Sequence, residues 1–367
     1  MIYLDSAATT LQKPPEVAAE LVRAMKTMTT PGRGGHEPAM RAADAVYACR
    51  ELAGALFDAA PEQVVFTMNA THGLNIAIRS LLREGDEAVI SGFEHNAVRR
   101  PLHALGARTL IAGRRLFDPE DTLRSFENAI TARTRAVICT HVSNVFGYRL
   151  PVEEIAALCA ERQVPFVLDA SQSAGCLPVK LRSLHAAFIA MPGHKGLYGP
   201  QGTGILLCGQ NADPLLEGGT GSQSLSPEMP DFLPDRLEAG TVNTAGICAL
   251  GEGLRHVQKL TAQKILSSEI RRKEELAHGL RKLDGWRVFD SAHDQTGVLS
   301  AVRDGEDPER TALRLAKAGV CVRAGLHCAP LAHESAGTLP DGTVRFSFSC
   351  FNSQKEVQSV LELLRSF

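Results

Sequence analysis

The 367-residue chain has no excess of positive charge: 39 lysines and arginines stand against 41 aspartates and glutamates, a formal net charge of -2. That balance leaves nothing to neutralise a phosphate backbone and excludes a dedicated nucleic-acid binder. No apolar run is long enough to span a bilayer, and Met1-Ile2-Tyr3-Leu4-Asp5 lacks the basic and then apolar pattern of a signal peptide. The expectation is a cytoplasmic protein with no membrane contact. There are nine cysteines but no Cys-x-x-Cys pair. A structural zinc site is therefore not expected, and the thiols read as reduced rather than as a disulfide frame. Internal repeats and low-complexity tails are absent too.

What is present is an ordinary soluble composition, 44% apolar and 22% charged, over a length that exceeds one comfortable core. A large domain with a smaller companion follows. Short apolar runs alternate with amphipathic stretches: Val64-Val65-Phe66-Thr67, Ala88-Val89-Ile90, Ala136-Val137-Ile138-Cys139-Thr140, Val164-Pro165-Phe166-Val167-Leu168 and Ala186-Ala187-Phe188-Ile189-Ala190-Met191. Helices are predicted from Pro14-Pro15 with Val17, Leu21, Met25 and Met28 on the apolar face, from about Gly73, from about Asn96, after Asp118-Pro119, and over 152–162. Strands apolar on both faces and separated by helices imply an α/β fold with a mostly parallel sheet covered on both sides. From 244 a single long helix is predicted to 283, followed by strands and helices segregated as in an α+β cap.

Functional groups in such sheets gather beyond the carboxyl ends of the strands. Five successive strand ends carry polar residues: Asn69-Ala70-Thr71-His72-Gly73, His95-Asn96, Ser143-Asn144, Asp169-Ala170-Ser171-Gln172 and His194-Lys195. Singly, Asp169 and Asn144 read first as helix or turn caps, and Thr71 with Gly73 as a simple N-cap. Together they describe one pocket. A partly buried Lys195 suits attack on a carbonyl, the helix start at Thr71 suits a phosphate, and Asp169 suits a protonated ring nitrogen. Those three needs meet in pyridoxal 5'-phosphate chemistry. Most cysteines sit within apolar runs, but Cys328 lies in Arg323-Ala324-Gly325-Leu326-His327-Cys328-Ala329-Pro330, a Gly/Pro-bounded loop with His and Arg nearby that favours a thiolate.

Almost end to end, these motifs resemble the cysteine desulfurases and selenocysteine lyases of the class V aminotransferase family, enzymes of fold type I. Tyr3-Leu4-Asp5-Ser6-Ala7-Ala8 is similar to the family's opening and Arg33-Gly34-Gly35-His36 to its glycine-rich loop. The resemblance implies a seven-stranded-type sheet in a large cofactor domain, residues 14–250, and a small domain, residues 1–13 and 251–367, carrying the Cys328 loop and Arg345. It assigns Ala70 and Thr71 to the phosphate, His95 to stacking on the ring, Asn144 and Gln172 to the ring hydroxyl, Asp169 to the ring nitrogen and His194 to the phosphate vicinity. Lys195 takes the aldehyde. Thr241, in Glu238-Ala239-Gly240-Thr241, reaches the neighbouring subunit's phosphate, which implies a homodimer. Arg345, with Asn144, holds the substrate carboxylate, and Cys328 accepts sulfur, with His95 as a candidate acid.

The implied reaction converts L-cysteine, or L-selenocysteine, to L-alanine and leaves sulfur on Cys328 as a persulfide for an acceptor protein or small thiol. The compact Arg-x-Gly-x-His-Cys-Ala form resembles the branch holding selenocysteine lyases and sulfur-assembly desulfurases. A selenocysteine lyase, a class V aminotransferase and a non-catalytic sulfur-carrier scaffold stay open. Two departures stand out: Pro192 replaces a phosphate-binding serine, and Leu326 replaces a second histidine. Proline offers neither hydroxyl nor amide donor there, so the phosphate is expected to lean on Thr71, His194 and the partner's Thr241.

Overall fold

A computed structural model describes residues 1–32 and 34–366. Arg33, in the glycine-rich motif, lies outside the described residues. The chain opens with β1 (Ile2–Tyr3), α1 (Pro15–Thr27) and α2 (Glu37–Phe57), then enters β2 (Val64–Thr67), α3 (Ala70–Leu81), β3 (Glu87–Ser91), α4 (Asn96–Leu105) and β4 (Arg108–Ala112). It continues through α5 (Pro119–Ala129), β5 (Thr134–Thr140), α6 (Val152–Glu161), β6 (Phe166–Asp169), β7 (Phe188–Pro192) and β8 (Gly204–Cys208). These seven strands, β2 to β8, make one sheet in the order β2-β8-β7-β6-β5-β3-β4. All neighbours run parallel except β8, which is antiparallel to both β2 and β7.

The sheet is mostly parallel because its strands are apolar on both faces and must be covered on both. β2, β3, β6, β7 and β8 are buried along their whole length. Val137, Phe166, Leu168, Ile189 and Leu207 pack with α2, α5 and α6 on one face. Val65, Ile90, Ile138, Phe188 and Leu206 pack with α3 and α4 on the other. Each fully buried Phe or Leu contributes roughly 1.5–3 kcal/mol of apolar burial, so these two layers outweigh any single polar contact in fixing the sheet.

Beyond β8, residues 209–243 hold no helix or strand, and then come α7 (Thr244–Leu260), α8 (Ala262–Leu280), β9 (Trp286–Phe289), β10 (Val298–Arg303) and α9 (Pro308–Lys317). The small elements β11 (Val320–Cys321), β12 (Arg323–Gly325), α10 (Pro330–Ala336), β13 (Thr343–Ser347) and α11 (Gln354–Arg365) complete the chain. β12-β13-β10-β9 form an antiparallel sheet whose core joins Leu299, Phe346, Val357 and Val360 to Leu276 and Leu280 of α8. The N-terminus belongs with this layer, since β1 pairs in parallel with β11 and Leu4 is fully buried in its core.

Three expectations need correction. The helix expected over 244–283 is two helices, broken at Thr261 with φ +68, whose side chain caps α8 by accepting from the Lys264 N–H. Met25 is exposed rather than on the buried face of α1, which packs through Val17 and Ala24. The helix expected from about Gly73 begins at Ala70. No helix among the described residues is long and apolar enough to cross a membrane.

Candidate active site

The parallel strands deliver their polar residues to one edge of the large sheet. After β2, Asn69 caps α3 by accepting from the His72 N–H at 2.9 Å. The amides of Ala70 and Thr71, in the first turn, keep no hydrogen-bond partner among the described residues. Thr71 is exposed there. Two free N–H groups and a hydroxyl at a helix N-terminus suit an anion such as a phosphate.

After β3 the chain turns through Glu94 and His95 into α4. Glu94 is fully buried: one carboxyl oxygen takes the Ser91 hydroxyl and the Thr140 N–H, tying the ends of β3 and β5 together. Its other oxygen has no partner among the described residues, and burial pushes the carboxyl up to about 8. His95 caps α4, its Nδ1 accepting from the Ala97 N–H at 3.0 Å, which puts the ring proton on Nε2. Burial first, then the charges of Lys195, Arg323 and Arg100, lower His95 to about 4 against the opposing pull of Asp169. The ring is neutral at neutral pH, a state that suits stacking and hydrogen bonding rather than a cationic acid.

Asp169 ends β6 with 2% exposure, and its Oδ1 accepts from the Ser171 N–H at 2.9 Å. Its other oxygen has no partner among the described residues, so a cationic N–H fits against it. Gln172 donates from Nε2 to the Ala7 carbonyl at 2.9 Å. Beyond β7, His194 Nδ1 lies 3.0 Å from Thr9 Oγ1, and its backbone carbonyl accepts from the Thr10 N–H. Lys195 follows, partly buried. Burial lowers its ammonium to about 8; Asp169 opposes this, while Arg345 and Arg323 reinforce it. An amine with that value is substantially neutral near pH 8 and therefore nucleophilic. Pro192 is the last residue of β7.

The small domain supplies the rest. Cys328 is exposed at the tip of its loop, and both His327 and Cys328 are left-handed, with φ +48 and +57. Side chains with a Cβ adopt that conformation only under constraint, and three bonds impose it here. The Asn96 N–H donates to the Cys328 carbonyl at 2.8 Å, Asn144 Nδ2 to the His327 carbonyl at 2.8 Å, and His327 Nε2 lies 3.2 Å from the Thr343 carbonyl oxygen. Arg345 on β13 is 1% exposed. It donates from Nη1 to the Asn144 carbonyl at 2.9 Å and from Nη2 to Asp5 Oδ1 at 2.6 Å, while its buried Nε has no partner among the described residues.

Lys195, Asp169, His95, Asn144, Cys328 and Arg345 are thus linked by contacts or by mutual charge effects. Thr241 is placed elsewhere. It is exposed and lines a separate concavity of about 490 Å³ with Thr30, Tyr47, Arg50, Ser222 and Glu238. Glu238 anchors that wall by pairing with Arg50 and accepting from the Phe66 N–H.

The chain as a whole is similar to known proteins. A family model described as Aminotransferase class-V matches residues 2–360. The chain belongs to the class-V aminotransferase family. Within it, a probable cysteine desulfurase of Methanothermobacter thermautotrophicus is 32% identical over 99% of this chain and 94% of its own length. A cysteine desulfurase of Synechococcus elongatus is 33% identical over the whole of this chain, which spans 60% of that protein. Among solved structures, the apo cysteine desulfurase from Thermococcus onnurineus NA1 superposes with a TM-score of 0.90 at 29% identity, covering 100% of this chain and 94% of that one. The cysteine desulfurase CsdA of Escherichia coli, in an S-sulfonic acid form, gives 0.86 at 25% identity, covering 99% and 94%. The class-V fold is that of type I pyridoxal phosphate enzymes, as expected.

Sequence reasoning assigned no role to Asp5, the resident partner of Arg345. Its signal was available as the one carboxylate in the opening motif, but nothing in a linear reading pairs it with a residue 340 positions away.

Proposed function

We propose that this chain is a pyridoxal 5'-phosphate-dependent cysteine desulfurase that converts L-cysteine to L-alanine and retains the sulfur on Cys328. One observation carries the proposal: an exposed thiol sits on a loop whose backbone carbonyls, of Cys328 and His327, accept from Asn96 of α4 and from Asn144 beyond β5, next to a His95 that is within charge reach of a lysine of lowered basicity. The kinship with relatives named cysteine desulfurase supports it.

The residues fit the cofactor. The free amides of Ala70 and Thr71 would hold its phosphate, the open oxygen of Asp169 its ring nitrogen, and the neutral face of His95 its ring, with Asn144, Gln172 and His194 around it. Lys195 would tether it covalently. Bound there, the cofactor supplies an electron sink that makes the substrate Cα–H acidic. The chain does the rest. Arg345 receives the substrate carboxylate on its unpartnered Nε edge, a geometry suited to planar bidentate pairing. Lys195, neutral near pH 8, takes the Cα proton and returns it during formation of the methyl product. Cys328 attacks the substrate sulfur: the Cβ–S bond breaks, an S–S bond forms, and the thiol proton of Cys328 is matched by the hydrogen gained at Cβ, so cysteine plus thiol gives alanine plus persulfide. Residues 14–250 form the cofactor part, and residues 1–13 and 251–367 the part that carries Cys328 and Arg345. A second copy would bring its Thr241 to the phosphate.

Mass spectrometry after incubation with cysteine alone tests this reading. One added sulfur on the peptide holding Cys328, with an equivalent of alanine and no keto acid required, is the expected result. Cys328→Ala should keep the cofactor absorbance and lose the persulfide. Undiminished sulfide release by that variant would overturn the role of Cys328, and dependence on a keto acid would make the chain an aminotransferase.

A further inference from the structure

The guanidinium of Arg345 has five N–H donors, and the structure accounts for them unevenly. Nη1 is taken by the Asn144 carbonyl and Nη2 by Asp5, whereas Nε is buried with no acceptor among the described residues. A buried charged donor without a partner is costly, and its neighbour Nη2 carries a second hydrogen. The Nε–Nη2 edge is therefore the one left for a carboxylate. Arg345 also faces a like charge. On the adjacent antiparallel strand Arg323 is its direct register partner, which places both side chains on one face of the sheet.

Asp5 is fixed from both sides. Its segment bridges to Ser347: the Ser6 N–H donates to the Ser347 carbonyl and the Ala7 N–H to Ser347 Oγ at 2.9 Å. Farther along, Gln172 holds the Ala7 carbonyl and the Thr10 N–H reaches the His194 carbonyl. The segment is thus tied to the small sheet and to the β6 and β7 ends, and the carboxylate has little freedom.

We propose that Asp5 is a positioning residue for the substrate carboxylate: it takes one Nη2 hydrogen, offsets the repulsion from Arg323, and turns the Nε–Nη2 edge of Arg345 toward the bound amino acid. This rests on the reading of Arg345 as the carboxylate site. Asp5 touches no reacting atom; it acts through the guanidinium.

The test compares two amines on the cofactor-loaded protein, by absorbance titration: L-alanine, which carries the carboxylate, and ethylamine, which lacks it. Asp5→Ala should weaken L-alanine about tenfold, the loss of one charge-assisted hydrogen bond, and leave ethylamine within twofold. Asp5→Asn, which keeps an acceptor oxygen, should stay within about threefold of the parent for both. In turnover, Asp5→Ala should raise KM for cysteine with kcat nearly unchanged. Equal weakening of both amines, unchanged L-alanine binding in Asp5→Ala, or Asp5→Asn matching Asp5→Ala would each overturn the proposal. Arg345→Ala is the control for the underlying reading: if it leaves L-alanine binding intact, the carboxylate site is misassigned, whatever Asp5 does.

Discussion

Replacing Glu269 by glutamine should change how the stability of this protein depends on pH, by an amount the structure allows to be worked out. Glu269 on α8 is 9% exposed, and its carboxyl has no hydrogen-bond partner among the described residues. Its carboxyl shares a cavity of about 40 Å³ with Lys195, Gln172, Tyr198 and Ser349, and the backbone of Gly297 packs so closely on its stem that a Cβ there would lie 2.4 Å from the Glu269 Cβ. Burial pushes the carboxyl from its usual 4.5 up to about 8. A folded-state value above the unfolded one means the native protein binds the proton more tightly. The stabilisation is complete below about pH 4.5 and is lost as pH rises toward 8. The slope approaches 1.4 kcal/mol per pH unit once the unfolded carboxyl is ionised, so between pH 5 and 7 the loss is about 2 kcal/mol.

Glutamine has the same shape and no such slope. Glu94, also raised to about 8, tilts the curve in the same direction, and the buried ring of His141, lowered to about 3, tilts it the other way below pH 6.5. Both are common to the two proteins and cancel in the difference. Urea unfolding at pH 5, 6, 7 and 8 should show the stability of Glu269→Gln relative to the parent rising by about 2 kcal/mol from pH 5 to 7. A difference that stays constant with pH would refute the reasoning, because it would mean that the carboxylate is compensated in the folded state.

Other outcomes follow from the same contacts. Asn144→Ala removes the bond that holds the His327 carbonyl in a left-handed turn, and single-turnover persulfide formation should slow about tenfold, the effect of roughly 1.4 kcal/mol. The rate should be read beside the cofactor absorbance; an unchanged rate would show that the loop needs no such clamp. Asp169 supports the charged form of Lys195, so Asp169→Asn should move the lysine's titration in the cofactor-free protein to below 8, as measured by the pH dependence of its reductive methylation. A midpoint that rises instead would put Asp169 out of electrostatic reach.

Much of the pocket was legible because each strand end announces itself as an apolar run followed by Asn, His, Ser or Asp, and a parallel sheet sends all of those ends to one edge. Other features had no such signal. β4 reads Arg-Thr-Leu-Ile-Ala and begins exposed at the sheet edge, so it lacks the continuous apolar run of its neighbours. The reversed direction of β8 leaves no mark on Gly-Ile-Leu-Leu-Cys, which is as buried as any parallel strand. The break at Thr261 is set by one positive φ between two good helical sequences, with no proline or glycine to flag it. The partnership of Asp5 with Arg345 depends on the segment after β1 bridging to Ser347 of β13, a long-range event that periodicity does not encode.

The hydrogen bond from the Asn96 amide to the carbonyl of Cys328 joins the thiol-bearing tip to the residue directly after His95. Any outward displacement of that tip would have to stretch or break the bond, and the first turn of α4 would feel the pull. The imidazole of His95, whose Nδ1 caps that same first turn, is thereby coupled to the position of the thiol.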